Sequence, residues 1–188
     1  MELREALAGR RSVRSYTGSA IPRDVMERLL AAAVLAPSAM NTQPWRFVVI
    51  QDPARLQAIS DRAKPYYLDH IRAAEPQLLA RFEARLTNPD YHLFHGSGNL
   101  VLVVSNGANR WAVPDCAVAA DYLMLAAFEQ GLGSCVIGLA DAYLNDPATK
   151  AELGIPADHA VVQAVTLGYP RETPAPTPRD AAQVLSWL

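Results

Sequence analysis

The chain has 188 residues, 51% of them hydrophobic, and its 17 Lys+Arg against 19 Asp+Glu leave a net charge of −2. That fits one domain spanning residues 1–188 and argues against a polyanion-binding track, while no apolar run approaches the roughly 18 residues of a membrane-spanning helix. The charged start lacks a signal peptide's apolar region, and Cys116 and Cys135 form neither a disulfide framework nor a zinc pattern, so the expected compartment is a reducing cytoplasm.

Residues 2–8 read as a short helix. Pro22 opens a second at a first-turn position, with Val25, Met26, Leu29, Leu30, Ala33 and Val34 on a 3.6-residue stripe that must end before Pro37. Residues 45–51 are a strand, and Asp52-Pro53 caps and starts another helix. The helical pattern of residues 65–86 is broken by Pro76, which predicts two short helices with a kink; Asn88-Pro89-Asp90 is a turn, and residues 100–105 form a buried strand. Residues 113–130 are helical and almost without a polar face. Such a helix is either wrapped wholly by one chain or covered by a second subunit, and the second reading predicts a homodimer. Gly131 ends it, residues 160–167 form a last strand, and residues 170–188 follow as an extended arm holding Pro170, Pro174, Pro176 and Pro178.

Two segments carry polar chemistry. Between the second helix and the strand at 45 lie Pro37-Ser38-Ala39-Met40-Asn41-Thr42-Gln43-Pro44-Trp45, small and amide side chains bracketed by prolines. They suit an ordinary helix-to-strand connection, or a preorganised loop gripping the polar edge of a flat heterocycle. Earlier stands Arg10-Arg11-Ser12-Val13-Arg14-Ser15. In an extended segment Arg10, Ser12 and Arg14 share a side, which suits a phosphate monoester as well as a solvated basic turn. Other chemistry is scarce. The four histidines have no metal-ligand spacing, no nucleophile elbow or Walker loop occurs, and Gly131-Leu132-Gly133 ends a helix where a dinucleotide fingerprint would open one. An absence of catalytic side chains is what a cofactor enzyme predicts.

Taken in order, Arg10-Arg11-Ser12-Val13-Arg14, Ala36-Pro37-Ser38 with Asn41 and Gln43-Pro44-Trp45, Gly131 to Gly138, Leu167-Gly168-Tyr169-Pro170 and the proline-rich arm with Arg179 resemble the FMN-dependent nitroreductase family over nearly the full length. The resemblance implies an α+β fold, a three-layer α/β/α sandwich with a mixed, mainly antiparallel sheet, in an intertwined homodimer with FMN at the subunit interface. It implies that Arg10, Arg11, Ser12 and Arg14 hold the FMN phosphate, ribityl chain and pyrimidine edge. Pro37, Ser38, Ala39 and Asn41 would come to the flavin from the other subunit, with Gln43 supporting that loop. Cys135, Val136, Ile137 and Gly138 would form the strand end facing the ring, and Arg179, or less well Arg171, would return to the phosphate.

The implied activity is ping-pong hydride transfer from NADH or NADPH to nitroaromatic, quinone or similar flat acceptors, although members of the superfamily also dehalogenate, desaturate or fragment flavin. The alternative is a flavin-binding protein for storage or sensing with little turnover. Two departures stand out. Some members carry an acid before the flavin-facing glycine, where this chain has Ile137. Residues 64–98 match no fixed motif; in the family this variable region covers the pocket, making Tyr66, Tyr67, Phe82, Tyr91 and Phe94 either lid residues or plain core.

Overall fold

The apolar run that begins at Leu100 becomes a strand buried on both faces. In the computed structural model, which describes residues 2–188, β2 (Asn99–Ser105) is an interior strand of a four-stranded sheet ordered β1-β2-β4-β3, with β1 Trp45–Ile50, β3 Gly133–Val136 and β4 Ala160–Gly168. Alternation along β2 assigns its side chains to two cores: Leu100, Leu102 and Val104 to one, Val101 and Val103 to the other. A strand with no polar face needs helices on both sides, and that requirement sets the three-layer α+β architecture.

On the first face lie α3 (Pro53–Ala74), α4 (Leu79–Leu86) and the short α6 (Asp141–Leu144); on the second lie α2 (Arg23–Ala33) and α5 (Ala112–Glu129). Helix α1 (Leu3–Gly9) packs on α5, and α7 (Pro147–Glu152) leads into β4. All four strands pair antiparallel, so the expected mixed sheet is reduced to one parallel bridge, between Ser12 and Ser134.

Pro65 does not open a helix. It lies inside α3, whose Leu56, Ile59 and Ala63 before the proline and Leu68 and Ile71 after it enter the same core. Burial on both sides offsets the missing backbone hydrogen bond. The break at Pro76 is present as a single turn of 3₁₀ helix before α4. Phe94 is wholly buried in the core and is no lid; Tyr67 and Phe82 pack edge to face beside that core, and Tyr66 reaches the Asp146 carboxylate.

Helix α5 buries Cys116, Ala119, Ala120, Leu123 and Ala127 within its own chain and leaves Val113, Val118 and Tyr122 exposed. It ends in a Schellman motif: Gly131, at φ 73°, donates to Phe128 O at 3.0 Å and Leu132 donates to Ala127 O at 2.9 Å. That reversal feeds the chain straight into β3. Residues 171–188 run extended and almost wholly exposed, ending with Val184, Leu185, Trp187 and Leu188 in solvent. Among the described residues no helix is long and apolar enough to cross a membrane.

Candidate functional site

The outer edge of β3 is where the arginine segment docks. Val13 N–H donates to Ser134 O at 3.0 Å, beside the parallel Ser12–Ser134 bridge. Gly133 permits this approach, since a Cβ there would stand 2.6 Å from Val13 Cγ2. The segment then crosses to the start of the arm: Tyr16 bridges Pro170, Thr17 N–H donates to Tyr169 O, and Arg171 binds back through its N–H to Ser15 O and its Nε to Tyr16 O at 2.7 Å. Beneath it Tyr16 Oη meets Thr166 Oγ1 at 3.0 Å, and Thr166 donates to Cys135 O. Burial pushes the Tyr16 phenol far above its ordinary range.

Arg10, Ser12 and Arg14 alternate along this extended stretch, whose Ser12–Ser134 bridge lies next to Cys135. Burial pushes the Cys135 thiol up, while Arg14, Ser12 and Arg10 act to lower it. None of Arg10, Arg11 and Arg14 forms an ion pair among the described residues. Arg11 turns back on Ala8 O and Arg10 O through Nη1, leaving its buried Nε without a hydrogen-bond partner; the buried Ser134 Oγ is likewise unpartnered. Both residues line one cleft of about 250 Å³ with Val13, Phe128, Pro170 and Pro174. Buried polar atoms such as Arg11 Nε and Ser134 Oγ are costly unless a polar ligand answers them.

Past Cys135 the strand turns outward. Val136 is exposed, Ile137 is buried and donates to Ala164 O at 2.8 Å, and a Cβ on Gly138 would meet open space. The Gly138 N–H has no acceptor among the described residues. Arg179 lies in the exposed arm and makes no hydrogen bond or ion pair within the described chain, whereas Arg171 is fixed beside the arginine segment.

The loop at residues 37–43 is built from within. Gln43 donates through its N–H to Ser38 Oγ and through Nε2 to Asn41 Oδ1, and Ala39 N–H donates to Asp115 Oδ2 in the first turn of α5. Met40, Asn41 and Gln43 all take positive φ, 52°, 54° and 45°. Such backbone is strained for residues other than glycine and persists where its surroundings impose it. The loop does not meet the arginines in one chain. Asp115 anchors it at one end of α5, while Gly9 lies against Phe128 at the other. Phe128 lies thirteen residues along the helix from Asp115, about 20 Å at 1.5 Å per residue.

In the turn between α4 and β2, His95 is half-buried against Tyr91; burial first, then the charges of Arg14, His92 and Arg85, push its imidazole down to about 4. The sequence held a faint sign of it, a histidine placed directly before the Gly96-Ser97-Gly98 turn.

With the geometry in place, comparison with known proteins is informative. The Nitroreductase family model matches residues 7–169. A "NADH dehydrogenase" of Thermus thermophilus is 30% identical over all of this chain and 96% of its own length, and a "5,6-dimethylbenzimidazole synthase" of Rhodospirillum rubrum is 34% identical over 87% of this chain and 79% of its own. A Bacteroides fragilis nitroreductase solved with bound FMN superposes with a TM-score of 0.83 at 28% identity, covering 100% of this chain and 98% of that one. Antiparallel sheet, helical layers and matched sequence agree: the chain belongs to the Nitroreductase family.

Proposed function

We propose that this protein is an FMN-dependent NAD(P)H oxidoreductase, a homodimer that passes electrons from NADH or NADPH to quinones, nitroaromatics or similar flat acceptors in a ping-pong cycle. The observation that carries the reading is the uncompensated polar set at β3: three arginines without ion pairs, with Arg11 Nε and Ser134 Oγ buried and unanswered. A phosphate-bearing, hydrogen-bonding ligand matches that donor set in charge and polarity.

When bound, FMN supplies the redox chemistry, taking two electrons from the nicotinamide and giving them to the acceptor. The residues bind and tune. Arg10, Arg11 and Ser12 would hold the phosphate and ribityl chain, with Arg179 of the arm returning to the phosphate. Arg14 would hold the pyrimidine edge, where a cation favours the more negatively charged reduced form. The Cys135 to Gly138 backbone would face the ring, and the Gly138 N–H is available there as a donor.

The same geometry supports a second subunit. The two halves of the site lie at opposite ends of α5, so two copies related by a two-fold axis, their α5 helices antiparallel, would bring the 37–41 loop of one to the arginines of the other. Val113, Val118 and Tyr122 would be covered in that contact, and the apolar end of the arm would lie on the partner. The proposed compartment is the cytoplasm, in keeping with two free buried thiols.

The test is the absorption spectrum of the purified protein under anaerobic NADH or NADPH. Bands near roughly 370 and 450 nm that bleach with nucleotide and return with a quinone are the expected result. Bound flavin that stays oxidised would favour a storage role. A colourless protein that takes up no added FMN would overturn the reading.

A further inference from the structure

Two buried hydroxyls end on the backbone of β3. Thr166, fully buried in β4, donates its hydroxyl proton to Cys135 O at 3.1 Å. A hydroxyl has one proton, so in the 3.0 Å contact between Tyr16 Oη and Thr166 Oγ1 the phenol must be the donor. The direction is thereby fixed: Tyr16 O–H to Thr166, then Thr166 O–H to Cys135 C=O. Tyr16 is 3% exposed and held from several sides. A Cβ on Gly168 would stand 2.9 Å from its Cδ1, its backbone bridges Pro170, and its carbonyl accepts from Arg171 Nε at 2.7 Å. Burial keeps the phenol protonated at neutral pH, and therefore a donor.

The other end of the same peptide group points the opposite way. Backbone polar groups alternate in direction along a strand paired antiparallel. Ile137 N–H turns in to Ala164 O at 2.8 Å, and Ser134 O turns out to Val13 N–H at 3.0 Å. Cys135, in register with Thr166, therefore turns its groups in, and Val136 turns its N–H out from the edge that receives Val13. No acceptor among the described residues takes that N–H. Cys135 C=O and Val136 N–H belong to one planar amide, so a hydrogen bond that polarises the carbonyl strengthens the N–H as a donor.

We propose that Tyr16 is a positioning residue for the flavin: through Thr166 and the Cys135–Val136 peptide it aims and strengthens the Val136 N–H, which donates to the polar edge of the isoalloxazine ring. The proposal rests on the FMN reading above, which sets the Cys135 to Gly138 backbone against the ring. It adds two buried hydroxyls that themselves touch no ligand.

The test titrates apoprotein with FMN and, separately, with riboflavin, following flavin fluorescence, and records the Val136 amide resonance in the holoprotein. Tyr16→Phe removes only the phenolic oxygen, Thr166→Val breaks the link to Cys135 O, and Thr166→Ser keeps it. We expect Tyr16→Phe to weaken both ligands about threefold, as partial loss of a cooperative hydrogen bond would. Thr166→Val should weaken both at least as much, and Thr166→Ser should stay near wild type. Equal loss on both ligands marks the ring system, since riboflavin has no phosphate. In the wild-type protein, a readout independent of any variant's folding, the Val136 amide proton should move downfield when FMN is added; in Tyr16→Phe it should move less. Wild-type affinity in Tyr16→Phe, a loss confined to FMN, or a Val136 amide that FMN leaves unmoved would each overturn the assignment while leaving the proposed function standing. A wild-type protein that binds neither flavin would remove both.

Discussion

Two polar clusters lie close together in this molecule and are built on opposite rules. At the start of β2, Asn99 is fully buried and every polar atom of its side chain is answered. Oδ1 accepts from Ile21 N–H at 3.0 Å and Gln51 Nε2 at 2.8 Å, and Nδ2 donates to Ser19 O and Leu167 O. Ser97 Oγ completes the node by accepting from Asn99 N–H and donating to Leu167 O at 2.6 Å. The arginine end leaves guanidiniums without carboxylates and two buried polar atoms without partners. A satisfied network holds the fold together; an unsatisfied one is shaped for something the chain does not itself contain.

Breaking each cluster should therefore move different quantities. Asn99→Ala should cost about 3 kcal/mol of stability, because it strands several buried partners at once; urea unfolding measures it, and flavin affinity in the folded fraction should hold. Arg14→Ala should do the reverse, weakening FMN by about 2 kcal/mol and lowering the flavin potential while stability stays within about 0.5 kcal/mol. Unchanged affinity together with unchanged potential would refute the role given to Arg14. Gly133→Ala sharpens the boundary between the clusters. Its Cβ would press on Val13, so we expect about 1.5 kcal/mol of lost stability together with weaker flavin binding, in calorimetry and fluorescence titration respectively.

A further effect is a pH slope. Burial, with Arg14, His92 and Arg85 adding, holds His95 at about 4 against an ordinary 6.5. Between those values the unfolded chain binds a proton that the folded chain excludes, so this contribution to stability is intact above pH 6.5 and is lost as pH falls towards 4. The Tm of the apoprotein should consequently drop less between pH 7.5 and 4.5 in His95→Asn than in wild type. Parallel drops would show that His95 titrates normally.

Much of the fold is legible in local chemistry. The unbroken apolar run at Leu100 requires a strand covered on both faces, Asp52 caps α3 through Ala54 and Arg55 N–H, and Gly131 makes the reversal after α5. What is hidden depends on packing between distant segments. Pro65 reads as a break because propensity is local, yet the core on either side of it carries the helix through. Phe94 and Tyr91 are three residues apart and equally aromatic, but one is buried completely and the other half-buried, which only the path of the turn decides. For the candidate site, period-two alternation already places Arg10, Ser12 and Arg14 on one side. It cannot reveal the orphaned Arg11 Nε and Ser134 Oγ, which exist only once β3 lies beside them.

The docking of residues 12 and 13 on β3 has a consequence for the protein's behaviour in concentrated solution. β3 is an edge strand, and unpaired edges are templates on which other chains can add strands. Val13 N–H occupies part of that edge, and the flanking Arg10, Arg11 and Arg14 surround it with positive charge, a combination that discourages strand addition. Substitutions that loosen this segment should then carry a penalty that no activity assay would register: a rising tendency to self-associate through β3, visible as light scattering before any loss of helical signal.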